Sequence, residues 1–282
     1  MVLGVLLATA ASLLSSSKDI VSKRVSGRVD SSVSTFASFL YPLPLYCVIL
    51  FVLWLLGVDV FAASHQFWIY VGARAAADTG AEWCKMKALA IGELSLVTSF
   101  FALYPLLLLL SSPIITGDAL EPKAPLATVI IVLGTLIILY RPRGDAPMNW
   151  KAVGLSLLAA FFFSLNTALD RATVQEANPV FSAFVMTALS GIFVSPTLRR
   201  EHLPQLLLEK RLFSLRGVFE VLFMIVKLSA LTILSAPMVV AIGRLSTVLN
   251  VLAGHFMFGE PHLGRRLIGA SLVCGGVGYL LF

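Results

Sequence analysis

Two stretches of the chain decide its fold. Lys87–Glu121 reads KALAIGELSLVTSFFALYPLLLLLSSPIITGDALE, and Lys227–Pro261 reads KLSALTILSAPMVVAIGRLSTVLNVLAGHFMFGEP. Each opens on a lysine and a short small-residue segment, runs long and apolar, and closes on Gly-Asp or Gly-Glu. A glycine-bearing apolar run follows each, VIIVLGTLIIL over 129–139 and RRLIGASLVCGGVGYLLF over 265–282. Shifting the chain by 142 residues aligns Arg74 with Arg216, Asp78 with Glu220 and Lys85 with Lys227. The same shift carries Ala88-Leu89 onto Ala230-Leu231, Gly117-Asp118 onto Gly259-Glu260, Lys123 onto Arg265, and Gly134 onto Gly276. Apolar matches come cheaply in a chain that is 58% hydrophobic, but rare charged residues falling in register do not.

Outward from this repeat, composition fixes the class. Only 13% of the 282 residues are charged and the mean hydropathy is +0.92, whereas soluble domains carry about 25% charged residues. A water-solvated globule is excluded. A spanning helix needs about 20 apolar residues, and ten spans with short connections would use about 28 residues each, which leaves no room for a soluble catalytic or binding domain. Spans are expected at 2–18, 33–56, 67–90, 94–116, 124–140, 150–169, 179–198, 213–233, 236–257 and 265–282. The hydrophilic turns at 141–147, 199–204 and 259–262 punctuate them. The runs are too long for membrane strands, which need about 10 alternating residues. The expectation is an all-α integral membrane protein of ten helices in two repeats, 1–142 and 143–282. An odd number of spans per repeat inverts one relative to the other, the arrangement of many secondary transporters, whose substrate site lies between the repeats. The opening MVLGVLLATAASLLSSS has no basic leader and reads as the first span rather than a signal peptide. Cys47, Cys84 and Cys274 have no metal or disulfide spacing.

Taken together, these two repeats resemble the EamA-type branch of the drug/metabolite transporter superfamily over the whole chain. The resemblance implies a five-plus-five inverted repeat and alternating-access export or exchange of small metabolites. It also implies cytoplasmic termini. Departures are Asp118 where the second half has Glu260, and Pro105 and Pro113, which have no proline counterpart. Charge argues the other way on orientation. Of 21 Lys and Arg, twelve fall in connections expected on one side and two, Lys123 and Arg171, on the other, which places both termini outside by the positive-inside bias. The same bias accounts for the net charge of +6 without nucleic acid.

Seven basic residues lie within or at the ends of spans: Lys18, Arg74, Lys85, Lys87, Arg216, Lys227 and Arg244. Charges in a bilayer core cost about 2.5–3.5 kcal/mol each on insertion scales and so mark functional candidates. At about 100° per residue, Arg74, Asp78, Glu82 and Lys85 share one stripe of the third span. Arg216, Glu220 and Lys227 share the equivalent stripe of the eighth, with Met224 in place of Glu82. Arg244 has no acid at i±3 or i±4, and a guanidinium there suits a carboxylate or phosphate, from a neighbouring helix or a substrate. These eight residues are the expected substrate-binding set. Alternatively, Arg74–Asp78 and Arg216–Glu220 neutralise each other as i,i+4 pairs, or the long cations snorkel. Arg74, Lys85, Arg216, Lys227 and Arg244 against Asp78, Glu82 and Glu220 leave a surplus of two positive charges, which favours an anionic substrate. Glu82, without a counterpart, is expected to couple transport to protons, the alternative being that it only neutralises Lys85.

Weaker signals read as structural. Asp19, Asn166 and Asp170 cap helix ends or line a cavity mouth; His255, Tyr104 and Phe161–Phe163 pack; Gly254, Gly269, Gly275 and Gly276 allow close helix approach. Four scattered histidines make no catalytic constellation, so catalytic residues, metal and cofactor are expected to be absent. The expected function is secondary transport of a small, anionic metabolite, with protons as a second partner. A lipid or carrier-lipid flippase of the same fold and an intramembrane enzyme are the alternatives. The expected setting is a prokaryotic plasma membrane, as a multi-pass monomer or homodimer.

Overall fold

In the computed structural model, residues 1–100, 104–117, 122–140 and 149–281 are described. Asp118 and the 141–147 turn lie outside them. Helix accounts for nearly all of the described chain. The helices are α1 (Val2–Ser26), α2 (Ser31–Leu40), α3 (Leu43–Leu55), α4 (His65–Ile91), α5 (Leu94–Phe100), α6 (Tyr104–Thr116) and α7 (Ala124–Leu139) in the first half. The second half holds α8 (Trp150–Glu176), α9 (Pro179–Val194), the single-turn α10 (Gln205–Leu208), α11 (Lys210–Ile233), α12 (Ala236–Gly243), α13 (Ser246–Phe258) and α14 (Leu263–Leu281). Among the described residues there is no strand, only one isolated bridge between Ala63 and Ala177.

Local chemistry sets the helix starts. Asp30, Ser64, Asn149 and Asn178 each accept a backbone N–H of the first turn of α2, α4, α8 and α9. Pro179 stands at the first position of α9, where its missing N–H costs nothing. Gly259 ends α13 with φ 67°, and the Glu260 N–H reaches back to the Gly254 carbonyl at 3.0 Å, the left-handed turn that glycine adopts most easily.

Among the described residues, five segments are long and apolar enough to cross a membrane: Val2–Ser26, Ser31–Leu55, Trp150–Glu176, Pro179–Thr197 and Ala236–Phe258. Helices α4 and α11 have 27 and 24 residues, about 40 and 36 Å at 1.5 Å per residue. Their length suffices, and their charged stripes lower their hydropathy. Two expected spans are broken into two helices each, at 41–42 and 244–245, and residues 101–103 of the expected 94–116 span lie outside the described residues. Two others run past their expected ends. α1 continues to Ser26 rather than 18, and α8 to Glu176 rather than 169, so Lys18, Asp19, Asp170 and Arg171 are helical and not terminal.

Packing follows a twofold pattern. The first helix of each half lies against the third long helix of the other, α1 on α11 and α8 on α4, and the last helices α7 and α14 pack on each other. Small residues permit these approaches. A Cβ added at Gly134 would stand 2.5 Å from the Gly269 carbonyl, and one at Gly276 2.9 Å from that of Ala127. Under the 142-residue shift these two contacts are the same contact. Gly275 has nothing within 4 Å, so its expected packing role is not seen.

The basic connections collect at one end. Arg28 pairs with Glu209 at 2.9 Å and the Asp30 N–H bonds to Gln205, which joins the 27–30 turn to the segment before α11. Lys23, Arg24, Lys151, Lys210, Arg211, Arg265 and Arg266, expected in connections, lie in the end turns of helices instead.

Candidate functional site

A cavity of about 110 Å³ lies between the halves. Seven of the eight expected residues line it: Arg74, Asp78, Glu82, Lys85, Glu220, Lys227 and Arg244. Arg216 stands behind its wall, 1% exposed, donating to Glu82 and to the Ser22 hydroxyl. Lys18 and Asp19 of α1, Asn166 of α8 and Asn250 of α13 add to the polar lining, as do Ser12, Ser15, Thr98, Thr167 and Ser246. Phe163 and Tyr104, expected as packing residues, also face the cavity.

Its charges form paired sets that repeat with the fold. Lys85 holds Asp19 at 2.9 Å and Lys227 holds Asp170 at 2.6 Å. Asp19 and Asp170 occupy equivalent places in α1 and α8. A buried hydroxyl lies three residues before each (Ser16, Thr167) and three after (Ser22, Thr173). The capping role is thereby corrected for both, since each is nine-tenths buried inside a helix because α1 and α8 continue past their first charges, and Asp19 lines the cavity. Arg74 bridges Asp78 at 2.5 Å and Asp170 at 2.8 Å.

The second half departs from this symmetry in a specific way. Arg216–Glu220, the counterpart of Arg74–Asp78, is stretched to 3.9 Å. Arg216 turns instead to Glu82 at 2.9 Å, and Glu220 to Lys18 at 3.0 Å. Glu82 and Lys18 have no charged counterparts, since Met224 and Leu169 hold the equivalent places, and neither has Arg244, whose counterpart in sequence is Ala102. One extra cation and one extra anion thus exchange partners with the Arg216–Glu220 pair. Glu82 meets Lys85 at 3.4 Å as well, so it bridges two cations rather than neutralising Lys85 alone.

Arg244 sits where the ninth expected span breaks. Its N–H bonds to the Ala241 carbonyl and that of Leu245 to Ile242, i→i−3 bonds that tighten the chain between α12 and α13. The guanidinium lies over the Tyr104 ring, 4.5 Å from its centroid, and its Nε donates to the Val240 carbonyl. Arg244 follows α12 and His255 lies in α13, where its Nδ1 pairs with the Glu260 carbonyl at 2.8 Å.

Including the residues that complete these pairs changes the charge count. Lys18, Arg74, Lys85, Arg216, Lys227 and Arg244 stand against Asp19, Asp78, Glu82, Asp170 and Glu220. Among the described residues of the network the surplus is one positive charge, not two.

At the basic end, a second cluster ties the halves together. Arg266 of α14 meets Glu93 at 2.5 Å and Glu260 at 2.7 Å, and Glu260 accepts the Leu94 N–H at 2.6 Å. The Lys23 ammonium donates to the carbonyls of Leu89 and Gly92. At the opposite end Arg171 donates to the carbonyl of Leu231, the repeat-equivalent of Leu89.

Comparison with known proteins fits this geometry. The sequence matches the EamA-like transporter family over residues 2–140 and again over 150–282. The chain belongs to the EamA-like transporter family. It is therefore an integral membrane protein of the drug/metabolite transporter superfamily, and the family is one of transporters. One match falls in each half of the chain. A solved crystal structure superposes with a TM-score of 0.67 over 98% of this chain and 96% of the other, at 16% identity, a likeness of fold alone. No protein with a curated description matches the sequence.

Proposed function

We propose that this EamA-like protein is a secondary active transporter of a small anionic metabolite, working by alternating access across ten membrane crossings. The observation that carries the reading is the cavity between the two halves, walled by paired charges with a surplus cation. Buried ion pairs are expensive to assemble and rarely improve stability over apolar packing. A dense network of them around an open space is better explained by a solute that exchanges with its members. A broken helix beside the site, with α12 and α13 separating at Arg244, is the arrangement that secondary transporters use at their midplane sites. Arg244 would grip the anion, since a guanidinium offers two parallel donors to a carboxylate or phosphate. Arg74, Asp78, Glu82, Lys85, Arg216, Glu220 and Lys227 would set the field and geometry around it. The clamp of Glu93, Arg266 and Glu260 would close the basic end and break when that end opens.

Purified protein in liposomes, loaded in turn with carboxylates, phosphate esters, neutral solutes and amines, tests this by counterflow. Trans-stimulated uptake of an anionic class supports the proposal. Scrambling of a fluorescent lipid without solute counterflow would favour a flippase and overturn it.

A further inference from the structure

We propose that Asp78, and not Glu82, is the proton-binding carboxylate of this cavity, so that a proton and the anionic solute bind together; this rests on the transport reading above. The argument turns on what each buried carboxylate would face once neutral. A protonated carboxyl must donate its hydrogen, and in a dry site a donor without an acceptor is costly. Glu82 faces Lys85 and Arg216, Asp170 faces Arg74 and Lys227, and Glu220 faces Lys18 and Arg216. Every one of those partners only donates. Protonation at any of the three would set a hydroxyl against two cations.

Asp78 differs. It has one cation, Arg74, and two neutral partners: the Asn166 amide, donating at 2.9 Å, and the Ser190 hydroxyl at 3.5 Å. Both can donate or accept. The Asn166 amide oxygen is buried and has no partner. Rotating that amide by half a turn presents an acceptor to a protonated Asp78, and the reverse rotation restores the donor to the carboxylate. Asp19 also has one cation and one amide, but the oxygen of its Asn250 already accepts from Ser16 at 2.6 Å. Only Asp78, among the described carboxylates of the network, has partners that suit both of its protonation states.

Neutralising Asp78 strands no partner. Arg74 keeps Asp170 at 2.8 Å. The other charged or titratable groups that bear on Asp78 are Glu82 on its own helix, Asp170 on α8, Glu220 on α11 and Tyr46 on α3. Three of those are carboxylates, whose mutual repulsion a bound proton relieves. Protonation also raises the cavity's surplus from one positive charge to two. The anion then binds more tightly to the protonated form, and by reciprocity the bound anion retains the proton. Asp78 protonated on one side and deprotonated on the other links the two fluxes.

Infrared difference spectroscopy of the purified protein in lipid, titrated with pH and no solute, reads the proton directly. A protonated-carboxyl carbonyl band is expected to appear as pH falls, to vanish in Asp78→Asn and to remain in Glu82→Gln. In Asp78→Glu, which keeps the charge should the amide variant fail to fold, the band is expected to move. A band unchanged in Asp78→Glu or retained in Asp78→Asn, one lost in Glu82→Gln, or no titrating carboxyl band in the wild type, overturns the assignment. Because no transported solute is involved, this result stands apart from any failure to find counterflow.

Discussion

Removing the extra pair of charges one at a time, and then together, probes the network where its symmetry breaks. Glu82→Met takes the acid from between Arg216 and Lys85 and leaves Arg216, 1% exposed, with a 3.9 Å contact to Glu220. Removing one partner of a buried pair costs about 3–5 kcal/mol, because the remaining charge stays in a dry place. Lys18→Leu strips Glu220 of its 3.0 Å partner and is expected to cost somewhat less, since Glu220 is the most exposed carboxylate of the set. The double variant installs the second half's own residues, Met224 and Leu169, at the equivalent places of the first. It removes no net charge and frees Arg216 to close on Glu220 as Arg74 closes on Asp78 at 2.5 Å. The double variant is therefore expected to be more stable than the sum of the single losses by about 2 kcal/mol, within the 0.5–3 kcal/mol range of coupled network sites. Unfolding in mixed micelles, followed by helical circular dichroism for all four proteins, measures the cycle. Additive losses would refute the partner exchange.

Three further outcomes follow from the same geometry. Arg244→Ala is expected to cut counterflow at least tenfold with folded protein still in the membrane, as size-exclusion profiles and initial rates will show; loss of all folded protein would make the residue structural instead. Gly269→Ala places a Cβ against Ile138 and the Gly134 carbonyl at 2.5 Å and is expected to cost about 1–3 kcal/mol in the same micelle assay, with no loss pointing to slack between α7 and α14. A reporter inserted in the 57–64 connection, at the end away from the basic cluster, is expected to be read outside the cytoplasm; cytoplasmic detection would contradict the charge bias and favour the orientation that the family resemblance implies.

The repeat and the helical class were legible because rare charges recur at a fixed shift in an apolar chain. Arg74 and Arg216, or Gly134 and Gly276, could be paired without coordinates. The ends of helices were not legible by the same logic. Stopping the first span at Lys18 and the sixth before Asp170 treats a charge as a boundary, yet both helices continue because partners on other helices wait there: Glu220 for Lys18, and Arg74 and Lys227 for Asp170. A sequence shows which residues share a helix face and cannot show which face meets which. The i,i+4 pairing of Arg216 with Glu220 looked as sound as that of Arg74 with Asp78, and only the position of α1 reveals that Lys18 draws Glu220 away. The flanking hydroxyls, Ser16 and Ser22 beside Asp19, Thr167 and Thr173 beside Asp170, were the available signal.

The account stands on a cavity that opens to each side in turn, and side-specific thiol labelling tests that most directly. Ser15 of α1 lines the cavity and carries none of its charges, so Ser15→Cys, in a background with Cys47, Cys84 and Cys274 replaced by alanine, places a probe in the path. Membrane-impermeant reagents applied to right-side-out and inside-out vesicles are expected to label that cysteine from both faces, with an anionic counterflow substrate slowing both rates. Labelling from one face only, at a rate no solute changes, would contradict alternating access through this site.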